Sequence, residues 1–279
     1  MFPRSPDAFA AIAGDILSTG IGLVHRSPKL QRAYDALYSI GIPFFRTPTE
    51  IKSLCLMPAD RNTGYTPVGV EYSIAPDIPD QKESITYIRA EQRLADSHPS
   101  FVQPLYAAMS DCVDAVYPLA LGITRALAEC FGSDDPLYSP DYSQLALNSY
   151  AIPDAPRDVL IEPHEDGCLL TVLSSTAAGL EIQDRSGAFR ACAEVIENLV
   201  VIAGHSLTLA TSGAVPPTFH RVVRSPSVTH RYTIAYDVSV DIARPVTPWG
   251  HPESAIRLDL DARLTLTRFG LAPLGQEIK

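Results

Sequence analysis

Pro163-His-Glu-Asp-Gly-Cys-Leu-Leu-Thr-Val-Leu173, followed further on by His220-Arg-Val-Val223 and His230-Arg-Tyr-Thr-Ile-Ala-Tyr236, sets the reading of this chain. A strand points residues two apart to one face. A strand through His164 and Asp166 therefore aims an imidazole and a carboxylate at one point. Gly167–Leu173 is a β-prone apolar run, and Val222-Val223 is a second β signal directly after His220. His220, arriving on a distant strand, would add a second imidazole. Two imidazoles and one carboxylate leave positions open on an octahedral metal ion, a facial set that suits Fe(II). A lone H-x-D also suits a polar strand end; the strand context around both histidines is what favours the metal. Arg231 and Thr233 share one face of the last strand. A bidentate guanidinium with a hydroxyl beside it suits a carboxylate ligand.

The rest of the chain divides by periodicity. Residues 7–18 and 28–40 have helical spacing, the second with Gly41 as its stop, and 20–25 reads as a short strand between them. A short helix begins at Pro48. Residues 58–90 are loop-rich, punctuated by Pro58, Pro67, Pro76 and Pro79. Arg61, Tyr65, Glu71, Tyr72 and Arg89 stand out there, and loop packing and solvated charge account for most of them. Residues 99–131 give the longest helical signal, ended by Gly132, with Pro118 awkward in its middle. From 145 the pattern turns to strands at 145–151, 158–163, 167–173, 179–184, 187–190, 198–203, 206–210, 217–223 and 231–239. A helix returns at about 256–268. The class expected is mainly β with flanking helices (α+β), built on a jelly-roll core of two antiparallel sheets with an open mouth.

In combination these motifs resemble the isopenicillin N synthase-like family of Fe(II)- and 2-oxoglutarate-dependent oxygenases. The family pattern of H-x-D, a distant His and R-x-S reads here as His164-Glu165-Asp166, His220 and Arg231-Tyr232-Thr233, with Thr in place of Ser. Its N-x-Y reads as Asn148-Ser149-Tyr150. Gly64-Tyr-Thr-Pro67 and Asp80-Gln-Lys-Glu83 resemble two further family segments. The resemblance implies a double-stranded β-helix core, with His164, Asp166 and His220 on Fe(II). It implies Arg231, Thr233, Tyr150 and Asn148 on 2-oxoglutarate, with O2 as second cosubstrate. The 2-oxoglutarate would be decarboxylated to succinate while an unactivated C–H of a small molecule is oxidised. Hydroxylation, desaturation and ring formation are all open, and a role in secondary-metabolite biosynthesis is the expectation. Tyr65 falls where the family borders its substrate mouth and is a candidate substrate contact. Apolar strand residues such as Leu173 would shield the reacting centre from water. The expected organisation is one oxygenase domain over 1–279: a helix-rich part at 1–140, the jelly roll at 141–243 and a helical tail at 244–279. Two alternatives stay open: an oxidase of the same family that does not use 2-oxoglutarate, and a non-enzymatic small-molecule-binding jelly roll.

Composition narrows the classes. The hydrophobic share of 46% is that of a packed globular protein. A formal charge of −10 argues against nucleic acid as a partner. No apolar run is long enough to span a membrane, and the first residues, Met-Phe-Pro-Arg-Ser-Pro-Asp, lack signal-peptide order. Five cysteines without a C-x-x-C fit free thiols in a reducing compartment, so a cytoplasmic location is expected. Cys168 could face the metal side of its strand, but a structural role is expected. His25 and His205 are expected to be ordinary strand and turn histidines.

Overall fold

Helix propensity and apolar spacing in the first part of the chain give α1 (Pro6–Thr19), α2 (Pro28–Phe45), α3 (Thr49–Lys52), α4 (Gln92–Ser97) and α5 (Gln103–Cys130). Threaded among them are β1 (Ile21–His25), β2 (Gly64–Thr66) and β3 (Glu83–Ile88). Then follow β4 (Gln144–Ala151), β5 (Val159–His164), β6 (Leu170–Ser175), β7 (Leu180–Gln183), β8 (Phe189–Ala191) and β9 (Asn198–Ala203). After these come α6 (His205–Ala210), β10 (His220–Val223), β11 (His230–Val238) and α7 (Leu258–Leu264), with a 3-10 turn over Thr265–Phe269. This computed structural model describes residues 6–151, 157–225 and 228–275. The stretch 1–5, read above for a missing signal peptide, lies outside the described residues. Among the described residues no helix is long and apolar enough to cross a membrane.

The strands form two antiparallel sheets. The larger has seven strands in the order β1-β9-β6-β11-β4-β3-β2, and the smaller has four in the order β5-β10-β7-β8. This is the expected architecture of two sheets around an open mouth. Alternation on the central strands sorts their side chains. On β4 and β11, Leu145, Leu147, Tyr232, Ile234 and Tyr236 join the main core with residues of α2 and α5. The intervening Gln144, Ala146, Asn148, Tyr150, Arg231, Thr233, Ala235 and Asp237 line the space between the sheets. One ladder thus separates a dry core from a polar cavity.

Three local expectations are corrected, and a fourth, the long helix, holds despite its proline. Helix α2 does not stop at Gly41 but runs to Phe45. Gly41 serves close packing instead: a Cβ there would lie 2.1 Å from Leu147 Cδ2. Helix α5 is continuous through Pro118. A buried face that includes Leu105, Met109, Leu119, Ile123 and Leu127 outweighs the ~3 kcal/mol a mid-helix proline costs. Residues 58–90 are not merely loop. They contain β2 and β3, and β3 pairs along its whole length with β4, from Glu83↔Ser149 to Ile88↔Gln144. Residues 206–210 are helical, not a strand. Ser-Leu-Thr-Leu-Ala is too short for its alternation to decide, and the turn at Gly204 starts a helix.

Candidate metal and cosubstrate site

His164 is the last residue of β5 and His220 the first of β10, and the two are register partners. Their rings project side by side, with centroids 4.3 Å apart. Asp166 is not on the strand, as the two-residue spacing suggested. β5 ends at His164, and Asp166 stands in the loop beyond it. The loop is held by α6, where His205 N–H donates to the Asp166 carbonyl (2.8 Å) and Ser206 N–H to the Cys168 carbonyl (3.1 Å). Gly204 permits this approach, since a Cβ there would sit 2.3 Å from the Cys168 carbonyl oxygen. The Thr171 hydroxyl donates to Asp166 Oδ2.

The outcome is a convergent donor set. Asp166 Oδ1 lies 3.5 Å from His164 Nε2, and Asp166 Oδ2 lies 3.6 Å from His220 Nε2. One ligand atom from each of the three falls within 4.8 Å of the others. Each imidazole turns its far nitrogen, Nδ1, to a backbone carbonyl: His164 to Glu162 (2.8 Å), His220 to Thr218 (3.4 Å). An Nδ1–H donor leaves the Nε2 lone pair free for a metal. Burial opposes charge on His220 and pulls its pKa down to about 4. Burial also opposes charge on His164, but Asp166 more than offsets it and the net shift is upward. Against its own burial, Asp166 is held well below the usual carboxylate range, chiefly by His220 and then His164.

Arg231 and Thr233 on β11 pair with Tyr150 and Asn148 on β4. Arg231 is fully buried, and none of its three guanidinium nitrogens has a hydrogen-bond partner. Its Cζ sits 4.9 Å from the Tyr150 ring centroid. Asn148 Nδ2 donates to Thr233 Oγ1 at 3.3 Å, leaving Asn148 Oδ1 buried and unpartnered. All four residues line the cavity that also holds the triad.

The cavity wall includes residues the sequence reading missed. Glu71, expected to be solvated loop charge, forms a buried ion pair with Lys82 and accepts from Ser84 Oγ at 2.6 Å. Asp80 accepts from Ser73, and Asp237 and Gln144 stand opposite one another on β11 and β4. Leu266, Phe269 and Leu271 reach in from the C-terminal segment, with Phe269 edge-on to His164 at 6.1 Å. Arg268 is tied to Glu165 at 2.9 Å. Period-two alternation on β4 and β11 could have found Gln144 and Asp237; nothing in the tail marks Phe269. Leu173 lines the cavity as expected. Tyr65 does not: it is buried against Phe44, and its hydroxyl donates to Glu83 at 2.7 Å. Strand β2 points it into the core. Cys168 reaches the cavity, but its thiol contacts Thr171 Oγ1 at 3.3 Å and burial pushes its pKa up. Among the described residues all five cysteines are free.

The 2OG-Fe(II) oxygenase superfamily matches this chain over residues 142–239, the segment that carries both histidines, Asp166 and Arg231. Residues 142–239 are a 2OG-Fe(II) oxygenase superfamily domain. The class that goes with this superfamily is a dioxygenase, with Fe(II) as cofactor and 2-oxoglutarate and O2 as cosubstrates, and the donor set of His164, Asp166 and His220 accords with it. Among curated proteins none matches significantly in sequence. Solved structures share the fold. A full-length Neurospora crassa protein, in complex with alpha-KG and thymine, is 21% identical with a TM-score of 0.74, covering 94% of this chain and 92% of its own. The dioxygenase for auxin oxidation 1 from Arabidopsis thaliana, in complex with 2-oxoglutarate, is 22% identical with a TM-score of 0.70, covering 90% and 95%. JOX2, in complex with 2OG, Fe and JA, is 17% identical with a TM-score of 0.74, covering 97% and 83%. The residues present fit the superfamily's groups. A mixed nitrogen and oxygen donor set suits Fe(II), and a buried guanidinium without a counter-charge suits a dicarboxylate.

Proposed function

We propose that this oxygenase oxidises an unactivated C–H of a small molecule, and that the facing ladder of β4 and β11 holds its cosubstrate. His164, Asp166 and His220 would hold Fe(II). Arg231, with Thr233, Tyr150 and Asn148, would hold the distal carboxylate of 2-oxoglutarate. When bound, the iron and 2-oxoglutarate supply the oxidising chemistry, coupling O2 reduction to release of succinate and CO2. The observation that carries this reading is Arg231: fully buried, charged, and without a partner on any nitrogen, in the same cavity as the triad. A buried cation of this kind is costly until an anion joins it.

The protein's own groups then do the positioning. The Nδ1 contacts to Glu162 and Thr218 fix both imidazoles, and Thr171 fixes Asp166. Leu173, Ile161 and Phe269 give the cavity apolar walls that exclude water from the reacting centre. The order Asn148-x-Tyr150, His164-x-Asp166, His220, Arg231-x-Thr233 supports the isopenicillin N synthase-like branch of the superfamily. Glu71, Asp80 and Lys82 on one side and Leu266 and Phe269 on the other complete the cavity from outside residues 142–239. That supports one functional unit over the whole chain. The bound thymine and JA of the fold relatives support a small-molecule substrate, and a secondary-metabolic role fits a tailoring oxidation of that kind. The test is aerobic incubation with Fe(II) and 2-oxoglutarate, measuring succinate. O2-dependent succinate that disappears in His220→Ala supports the reading. Product formation with no 2-oxoglutarate consumed would point to the oxidase alternative.

A further inference from the structure

Beyond the ligand set, the cavity holds two polar side chains with unused hydrogen-bonding capacity. Asp237 and Gln144 are register partners on β11 and β4, and both face the cavity. Gln144 is buried; its Nε2 has no partner, and its side chain makes no hydrogen bond. Asp237 has only Thr171 Oγ1, 3.5 Å away. That hydroxyl has one hydrogen, and it goes to Asp166, so Asp237 can use this long contact only as a donor when protonated and keeps its other oxygen free. Buried polar groups are normally satisfied, so an idle carboxyl and an idle amide side by side point to a ligand that fills both.

Charge narrows that ligand. Apart from the triad histidines, Lys82 and Arg231 are the cations among the described cavity-lining residues. Lys82 is paired with Glu71. Arg231 goes to 2-oxoglutarate on the reading above. Among the described residues Asp80 and Asp237 form no ion pair; Lys82 lies near enough to act on both, but its ammonium is held by Glu71. Away from the metal, a substrate carboxylate would find no unpaired protein cation there beyond Arg231, and would meet the Asp80 carboxyl. A group offering N–H to Asp237 and C=O to the Gln144 amide meets both idle side chains at once.

We propose that Asp237 and Gln144 are the substrate-reading pair of this enzyme, selecting a neutral molecule that presents an N–H beside a C=O, as in a lactam or carboxamide. This rests on the iron and 2-oxoglutarate assignment above. The test titrates anaerobic protein loaded with Fe(II) and 2-oxoglutarate with three matched probes, 2-piperidone, piperidine and pentanoate, by ligand-observed NMR. 2-Piperidone should bind at least tenfold tighter than the other two, and Asp237→Ala or Gln144→Leu should weaken it by about tenfold each. Tighter binding of pentanoate or piperidine overturns the proposal. So does absence of lactam binding, or an affinity unchanged in both variants. The visible absorption of the iron–2-oxoglutarate complex is recorded first. Wild-type protein that lacks it overturns the underlying assignment and the pair with it; protein that shows it but fails the probes overturns the pair alone. If Asp237→Ala loses that absorption, Gln144→Leu, which does not touch Thr171, decides.

Discussion

Arg231 lies in cross-strand register with Tyr150, its guanidinium carbon 4.9 Å from the ring centroid, and no nitrogen of it is hydrogen-bonded. A cation in that position destabilises the free protein and becomes favourable when a dicarboxylate arrives. Arg231→Met should therefore leave the ligand-free melting temperature unchanged or raised. It should also abolish the upward shift that 2-oxoglutarate gives wild type by binding only the folded state. Arg231→Lys keeps the charge but loses the planar fork. It should lower 2-oxoglutarate affinity at least tenfold, about 1.5–3 kcal/mol for a charged hydrogen bond. Thermal shift with and without 2-oxoglutarate measures both effects. A wild-type-sized shift in Arg231→Met would remove Arg231 from the site.

The Glu71–Lys82 pair gives a pH signature. Burial opposes the Glu71 carboxylate, but Lys82 and Ser84 outweigh it and its pKa falls below 4.5. The unfolded chain then binds the proton more tightly. Glu71 therefore contributes stability that is full above 4.5 and lost as pH falls through the depressed folded value. Burial likewise opposes the Lys82 ammonium, but Glu71 and Asp80 raise its pKa above 10.5, so its share is present below 10.5 and lost at higher pH. Lys82→Met leaves a buried carboxylate alone and should cost about 3–5 kcal/mol at neutral pH. It should also invert the acid limb, the variant growing more stable as pH falls toward 4.5. Adding Glu71→Leu should recover most of the loss. Urea unfolding across pH checks this, and a variant that keeps the wild-type acid limb would contradict it.

Gly204 supports the site without touching a metal. A Cβ there would meet the Cys168 carbonyl oxygen at 2.3 Å and the Asp166 carbonyl oxygen at 2.9 Å. Both are backbone atoms, so the loop carrying Asp166 must move. Gly204→Ala should cost about 1–3 kcal/mol as an overpacked site. It should also reduce iron content, although all three ligands remain. Iron analysis of the purified variant, with circular dichroism for the fold, tests it; full iron occupancy would show that α6 does not position Asp166.

What the sequence disclosed follows the range of each signal. Period-two alternation on β4 and β11 is local, so Arg231 and Thr233 were placed on one face and the structure keeps them there. His220 is legible inside a strand signal over 217–223, but its pairing with His164 is long-range. Asp166 was expected on a strand face, yet it reaches the same point from a loop held by α6, which the spacing does not encode. Strand β3 was hidden among prolines because its partner, β4, lies far along the chain. Tyr65, a candidate substrate contact in sequence, does not line the cavity because β2 turns it inward to Glu83. Phe269 and Leu266 could not be read at all, since only the return of the tail over the mouth brings them in.

Asp166 offers the most direct test of the central claim. It is the one anionic group of the triad, and its carboxylate touches both imidazoles. Asp166→Ala removes one ligand and one negative charge while leaving the strands that carry His164 and His220. Anaerobic titration of Fe(II) and 2-oxoglutarate, followed by visible absorption, should give wild-type protein a charge-transfer band that needs both additions and saturates at one iron per chain. In Asp166→Ala the band should be lost or need much more iron, with unchanged circular dichroism; Asp166→Glu should fall between, since an added methylene moves the carboxylate by about 1 Å. A band of wild-type intensity and stoichiometry in Asp166→Ala would contradict the assignment of this site.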